Sequence, residues 1–257
     1  MREIGPCRRF EPLLPAAEPA PVLASTQMLF TLYSQFSDNP PALIAYFAAF
    51  VVALVTGIGF HEFSHAWAAN ELGDDTAAQR GRLTLNPLAH VDPMGMLVML
   101  LIGFGWGKPT PVNPYRLRNG VKRGNMLVAL AGPASNFVFA TIAAIPLRLG
   151  LIHSVADLND IRNASGQEIV ALFLVFVVFY NVLLGVFNLI PIPPLDGFKV
   201  AVGILPGEAS RQLAKLEQYG MGILLSMFVI SFLSRGAINP IGWLIGGVQD
   251  QIFRLII

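Results

Sequence analysis

The sequence predicts an all-α polytopic membrane protein, a helical bundle of about 4–6 membrane segments. Of its 257 residues, 54% are hydrophobic and only 13% are charged, whereas a soluble domain carries about 25% charged residues. Several uncharged runs are long enough to cross a bilayer as helices. The net charge of +1 argues against nucleic acid as a main partner and leaves the lipid bilayer as the expected surroundings.

The first convincing span is 39–60, a run of 22 uncharged residues that reaches roughly 33 Å as a helix. Two further runs predict spans at 125–147 and 169–190. The run 219–233 is short for a fourth span. For 238–257 we expect a helix at the membrane interface, because Asp250 and Arg254 interrupt its apolar pattern.

Between the first two spans lies a region that is not predicted to cross the membrane. Residues 93–107 are apolar but too few to cross a bilayer, so they predict a re-entrant or half-buried segment. Short strands near the active site are predicted at 82–85 and 109–114. Residues 1–38 have no apolar core after their early charges, so they do not predict a secretory signal peptide. They predict an N-terminal tail or interfacial segment, and 39–257 predicts a single membrane-embedded domain.

Metal chemistry is predicted where the first span ends. His61 and His65 are four residues apart, so a helix places them on one face, where both can bind one metal ion. Glu62 lies beside that face and can take a proton from water activated by the metal. The plain alternative is two histidines and a glutamate on the wet end of a helix. Ionisable groups beside a long apolar run favour a functional site.

A catalytic zinc ion needs a third protein ligand, and Asp196 is the best candidate because it follows the third span in a proline-rich turn. Its alternative role is to cap the next helix. Asp92 is expected to be a structural turn residue, and His90 and His153 ordinary interfacial histidines.

The order of the spans provides a separate test. If 93–107 does not cross, one outgoing and one returning span separate the histidine motif from Asp196, and the two meet on one side of the membrane. Residues 71–124 carry seven Lys and Arg, against two in 148–168. The positive-inside rule therefore predicts that the motif faces the cytoplasm.

Several stretches together resemble the site-2 proteases, which are intramembrane zinc metallopeptidases. They are HEFSHAW, GRLTLNPLAHVDPMGM, GWGKPTPVNP, AGPASN and FNLIPIPPLDG. The resemblance runs from about residue 42 to 205, which is most of the chain. The resemblance implies one zinc ion bound by His61, His65 and Asp196, with Glu62 activating water. It also implies a catalytic role for Asn188 in binding substrate or stabilising the transition state, although capping a helix end is an equal alternative. The chain resembles the minimal members, which lack PDZ and CBS domains.

The sequence as a whole therefore predicts a multi-pass enzyme of the cell membrane, a zinc metalloendopeptidase that cleaves transmembrane or membrane-associated substrates. Two alternatives remain open at this point. The first is a transporter that passes metal ions or protons through the His and Glu cluster. The second is a non-proteolytic scaffold stabilised by zinc.

Overall fold

A computed structural model describes residues 40–102, 105–152, 165–234 and 236–257. The predicted tail at 1–38 and His153 lie outside these residues. Nine α-helices form in the described ranges. They are α1 Pro40–Glu71, α2 Thr76–Gln79, α3 Pro93–Ile102, α4 Val121–Arg148, α5 Gly166–Asn188, α6 Asp196–Ile204, α7 Gly207–Ala214, α8 Gly220–Leu233 and α9 Pro240–Ile256. Short 3-10 turns occur at Pro87–Ala89, Pro114–Arg116 and Lys215–Tyr219.

The membrane class predicted from composition is confirmed. Four helical segments are long and apolar enough to cross a bilayer: Leu43–Glu71, Val121–Arg148, Gly166–Asn188 and Gly207–Leu233. Large apolar side chains are exposed along them, Ile44, Val138 and Val229 among them. Exposing apolar side chains to water is unfavourable, whereas lipid tails can cover them without this cost in free energy.

Helices α1, α4 and α5 pack against one another, and their contacts carry the site. Small residues make close packing possible, and alanines of α1 and α4 are fully buried, among them Ala49, Ala53, Ala140 and Ala144. The main apolar cluster joins α4 and α5 to α8 and α9 through Val178, Val182, Leu224, Ile241 and Ile245. A capping box at Ser165 and Glu168 starts α5.

The short strands predicted near the site are not formed within the described ranges. Residues 82–85 fold into a compact loop in which the His90 ring donates from Nε2 to the carbonyl of Thr84 over 2.9 Å. Residues 109–113 form neither helix nor strand, and Pro114 begins a 3-10 turn. Asn113 has an extended backbone, and a proline favours the same conformation at the residue before it. Three of the six residues 109–114 are prolines, which have no N–H for a strand ladder. One isolated antiparallel bridge, between Val91 and Gly107, occurs between these segments.

Segments 93–107 and 238–257 test the predictions about how each one lies relative to the membrane. Segment 93–107 contains the ten-residue helix α3, about 15 Å long and too short to cross, as expected. The interfacial position predicted for 238–257 is wrong, because α9 packs lengthwise along α5. Its last turn, with Phe253 and Ile257, joins a cluster with Leu147 and Val175, which lie at the ends of α4 and α5 remote from the histidines.

Candidate metal centre

Three ligand atoms from distant parts of the chain converge inside the bundle. Nε2 of His61 lies 2.9 Å from Oδ2 of Asp196, and Nε2 of His65 lies 3.0 Å from the same oxygen. The two Nε2 atoms are 3.0 Å apart. All three residues are buried, each with 7% of its surface exposed. The structure therefore brings together the two histidines and the aspartate that the sequence singled out.

The backbone fixes where each of these side chains starts. The two histidines lie one turn apart on α1, which brings their rings onto one face. Asp196 is the first residue of α6 and makes no capping bond there, so its predicted alternative role as a cap is not what the structure shows. Behind it, a Cβ at Gly197 would lie 2.1 Å from the carbonyl oxygen of Leu189. Only glycine allows the start of α6 to approach the end of α5 this closely.

The outer nitrogen of each histidine ring has a dedicated acceptor on α4. Nδ1 of His61 donates to Oδ1 of Asn136 over 2.8 Å, and Nδ1 of His65 donates to the carbonyl of Val128 over 2.7 Å. The Asn136 amide is oriented because its Nδ2 donates to the carbonyl of Gly57 and to Oδ1 of Asn181. With the protons on Nδ1, the lone pairs on both Nε2 atoms face Asp196 and are free to bind a metal.

Gly132 makes room for the two rings. A Cβ at this position would lie 2.5 Å from Cε1 and Nε2 of His65 and 2.7 Å from Cε1 of His61. Separations this short are not tolerated between non-bonded heavy atoms. Helix α4 therefore supplies both the acceptors that orient the histidines and the space that they occupy.

The two oxygens of Asp196 face different surroundings. Oδ2 faces both histidine rings, and Oδ1 lies 3.6 Å from Nζ of Lys199, one turn along α6. Burial raises the pKa of the Asp196 carboxyl, but the two histidine rings beside it, His65 above all, lower this pKa further, to well below its usual range. Asp196 is therefore an anionic carboxylate, the form that binds a cation.

Glu62 is half-buried beside the two histidines and is fixed by the segment that follows α3. Its Oε2 accepts a hydrogen bond from the backbone N–H of Thr110 over 2.7 Å, and its carbonyl accepts one from the Thr110 hydroxyl over 3.0 Å. The carboxylate of Glu62 therefore has one oxygen held by the protein. Its other oxygen has no such bond within the described ranges.

The segment 109–113 is held at its far end by a second carboxylate. Oδ2 of the fully buried Asp74 accepts from the backbone N–H of Asn113 over 2.6 Å, and Oδ1 accepts from the N–H of Thr76 over 3.1 Å. The neighbouring Asp75 is exposed and pairs with Arg116. Glu62 and Asp74 thus keep an extended stretch of backbone alongside the histidines.

A cavity of about 650 Å³ contains the converging groups. Asn188 lines it, but its Nδ2 donates to the carbonyl of Leu184 on the same helix over 3.0 Å, so its catalytic role stays a prediction. Lys199 and Thr110 also line the cavity, and no pattern in the sequence singles out either residue.

The other candidates from the sequence are separate from this centre. Asp92 is a structural turn residue, as predicted, because its Oδ1 accepts from the N–H groups of Met94 and Gly95 at the start of α3. His90 is fully buried in the 82–90 loop and does not belong to the group of converging ligand atoms, so its interfacial position stays a prediction.

The donor set fits zinc. Nitrogen and oxygen ligands at about 2.0–2.2 Å from a tetrahedral ion lie about 3.3 Å from one another, and the three atoms here are a few tenths of an ångström closer. The ligating atoms of His61, His65 and Asp196 form the one group in the described ranges with this arrangement. Three protein ligands leave a fourth position for water or substrate, as in catalytic rather than structural zinc sites.

A ligand set of this kind inside a bundle of membrane helices, with a glutamate beside it, defines the class of intramembrane zinc metallopeptidases. Comparisons with known proteins agree. A family model described as "Peptidase family M50" matches residues 146–233, a stretch that includes Asn188 and Asp196. The chain is 36% identical over 195 residues to "Putative zinc metalloprotease YwhC" of Bacillus subtilis, covering 76% of this chain and 85% of YwhC.

Two further relatives carry the name "Putative zinc metalloprotease Rip2". The protein from Mycolicibacterium smegmatis is 31% identical over 208 residues, covering 80% of this chain and 76% of the relative. The protein from Mycobacterium tuberculosis is 30% identical over 224 residues, covering 83% and 80%. No solved structure matches the chain. The chain belongs to peptidase family M50, the site-2 proteases, and is a zinc metallopeptidase of the membrane.

Proposed function

We propose that His61, His65 and Asp196 bind the zinc ion of this peptidase and that Glu62 is its general base. The observation that carries the proposal is the convergence of three ligand atoms on one point, each pair 2.9–3.0 Å apart, from residues up to 135 positions apart in sequence. Nothing in local folding requires Asp196 to meet the histidines. Burying these groups together is costly unless they hold a cation.

When bound, zinc lowers the pKa of a water ligand to near neutrality and polarises the carbonyl of the peptide bond to be cleaved. Glu62 accepts the proton of the attacking water and returns it to the amine that leaves. Its bond to the backbone of Thr110 fixes the carboxylate so that one oxygen remains for the proton. Asn188 lines the same cavity, where we infer that it contacts the substrate.

For the substrate we propose a transmembrane or membrane-associated protein that unwinds locally in the cavity. A helix hides its peptide bonds in internal hydrogen bonds, so cleavage requires an extended stretch. Segment 109–113 offers an extended backbone against which such a stretch can lie, although it is not part of a sheet in the enzyme itself. Because Pro109 and Pro111 have no N–H, and those of Thr110 and Asn113 already bond to carboxylates, the segment would offer a substrate mainly carbonyl acceptors.

For the location we propose the cell membrane, with the site facing the cytoplasm. The seven Lys and Arg of 71–124 lie on the same side as the C-terminal end of α1, where the histidines are. Water then reaches the site from the cytoplasm.

The test combines a zinc determination with cleavage of a generic single-span membrane substrate. Wild type should bind one zinc ion and cleave. Glu62→Gln should keep the zinc and lose cleavage by at least about 10²-fold, because general-base catalysis contributes about 10²–10⁴-fold. Asp196→Ala should lose both.

Each alternative makes a different prediction in the same experiment. A scaffold would be indifferent to Glu62→Gln, and a transporter would pass ions in proteoliposomes. Full zinc occupancy in Asp196→Ala would disprove the proposed ligand set.

A further inference from the structure

The catalytic cavity has one apolar wall that the proposed chemistry does not use. It is formed by α8 and α9 and includes Leu224, Phe228, Ile241 and Ile245. Leu224 has 2% of its surface exposed, and the two isoleucines each have 3%. These side chains face the inside of the protein and the cavity rather than lipid. We refer to Leu224, Phe228, Ile241 and Ile245 as the apolar wall.

The apolar wall adjoins the proposed zinc ligands directly. Leu195, the residue before Asp196, packs in the same cluster as Leu224, Ile241 and Ile245. Both Leu195 and Asp196 line the cavity. A residue next to the bond being cleaved therefore comes within reach of this wall.

Helix α9 is held in place firmly enough to act as a wall of fixed shape. Asn239 is buried, and its Oδ1 accepts from the N–H of Gly242 over 2.9 Å, which caps the first turn. Pro240 occupies the first helical position, where its missing N–H has no cost. Ile241 and Ile245 are four residues apart and so face the cavity together. The same helix exposes Leu244 and Val248 on its outer side, at 51% and 50%.

The segment 109–113 also borders the cavity, with Thr110 and Val112 lining it. A substrate strand that lies along this segment points alternate side chains to opposite faces. A side chain on one of these faces can reach α8 and α9, because both helices line the same cavity. Because the apolar wall consists of side chains without polar atoms, a polar substrate side chain would lose its hydrogen bonds to water there and gain none.

We propose that the apolar wall is a side-chain subsite that selects an aliphatic residue beside the bond to be cleaved, with Ile241 and Ile245 setting its depth. The proposal rests on the proposed function, since it assumes that the cavity is where the substrate is cleaved. Helix α9 then has a specific role, because it determines which peptide bonds the enzyme accepts.

The experiment uses full-length protein in proteoliposomes and a set of single-span substrates. These differ only in the residues around the cleaved bond, which carry Ala, Leu, Phe or Asn, and products are mapped by mass spectrometry. Wild type should favour Leu over Asn and over Phe. Ile245→Ala deepens the subsite and should raise cleavage of the Phe substrate relative to Leu by about tenfold, the scale on which apolar pockets discriminate. Ile245→Phe fills the subsite and should shift preference toward Ala.

Leu244→Ala and Val248→Ala are the matched controls, because they shorten aliphatic residues of the same helix on the side that faces away from the cavity. Both should leave the preference unchanged. The subsite is overturned if Ile245→Ala and Ile245→Phe retain the wild-type preference, or if the two controls change it equally. If wild type binds zinc but cleaves none of the substrates, the proposed function itself fails. The two failures are therefore distinguishable.

Discussion

At the scale of single residues, the centre depends on contacts that the ligands make away from the metal. The carbonyl of Val128 and the Oδ1 of Asn136 each hold one histidine by its Nδ1 proton, and Gly132 lies between these two positions on α4. Ligands held in this way bind metal more tightly because ring orientation and tautomer are set in advance. A small change on α4 should therefore alter zinc affinity, although α4 supplies none of the proposed ligands.

Gly132→Ala is expected to weaken zinc binding by at least about tenfold, because the added Cβ would lie 2.5 Å from the His65 ring and displace it. The measurement is the zinc dissociation constant by competition with a chelator. Gly246→Ala is the matched control, since a Cβ on that helical glycine would meet no atom within 4 Å. Equal zinc affinity in both variants would show that the close contact with the histidines has no effect.

The residues of the centre differ in how far their roles could be predicted. His61, Glu62 and His65 were predictable because their spacing on one helix is a local property. Asp196 required the resemblance and the order of the spans, because a carboxylate beside a helix start is equally a cap. Thr110 was not predictable, because it holds Glu62 largely through its backbone N–H, a group that almost every residue has.

At the scale of elements, the position of segment 109–113 is fixed by two carboxylates, one on α1 and one in the turn that follows α1. Glu62 holds Thr110, and the fully buried Asp74 holds Asn113. The prolines at 109, 111 and 114 have no N–H, so they cannot donate backbone hydrogen bonds to a neighbouring strand. The same prolines explain why the predicted strand at 109–114 is absent. An extended backbone could be predicted here from the sequence, but the carboxylates that hold it could not.

Asp74→Ala is expected to lower the free energy of unfolding by about 1–3 kcal/mol, because it leaves the part-buried N–H groups of Thr76 and Asn113 without acceptors. Cleavage should slow while zinc content stays near wild type. Asp75→Ala, which removes an exposed pair with Arg116, should cost only about 0–1 kcal/mol. Unfolding in detergent, followed by circular dichroism, compares the two; equal losses would contradict the role given to Asp74.

Helix α9 shows a limit of the sequence at this scale. A helix with Asp250 and Arg254 near its end has the same amphipathic pattern whether it lies on a membrane or packs along a neighbour. The side that carries Ile241, Ile245 and Gln249 is turned toward the interior of the protein, where Ile241 and Ile245 border the cavity. Which surface covers an apolar face is decided by tertiary packing, and one sequence does not contain that information.

At the scale of the whole molecule, the histidines at the end of α1 meet Asp196 at the start of α6, and both lie away from the end of α4 at Arg148. The meeting of His61 and Asp196 predicted from the order of the spans is confirmed by their 2.9 Å separation. Had α3 crossed the membrane, these groups could not have met. The direction in which the bundle crosses the bilayer is predicted from the loop charges alone.

Cysteine labelling tests this direction. The single cysteine, Cys7, is first changed to serine, and one new cysteine is introduced at exposed Asn119 or Leu151. In intact cells, a membrane-impermeant maleimide should label Leu151→Cys at once. It should label Asn119→Cys only after the membrane is permeabilised. The reverse pattern would place the site on the outer face.

The triangle of His61, His65 and Asp196 has a final consequence for how the enzyme is made. Its corners come from α1 and α6, and no section of chain shorter than 136 residues contains all three. The complete donor set therefore comes into existence only when the helices have assembled, so a partly inserted chain has at most two of the three donors. With the proposed ligand set, the metal would therefore be bound late in biogenesis, and its binding would stabilise the assembled bundle relative to its separated helices.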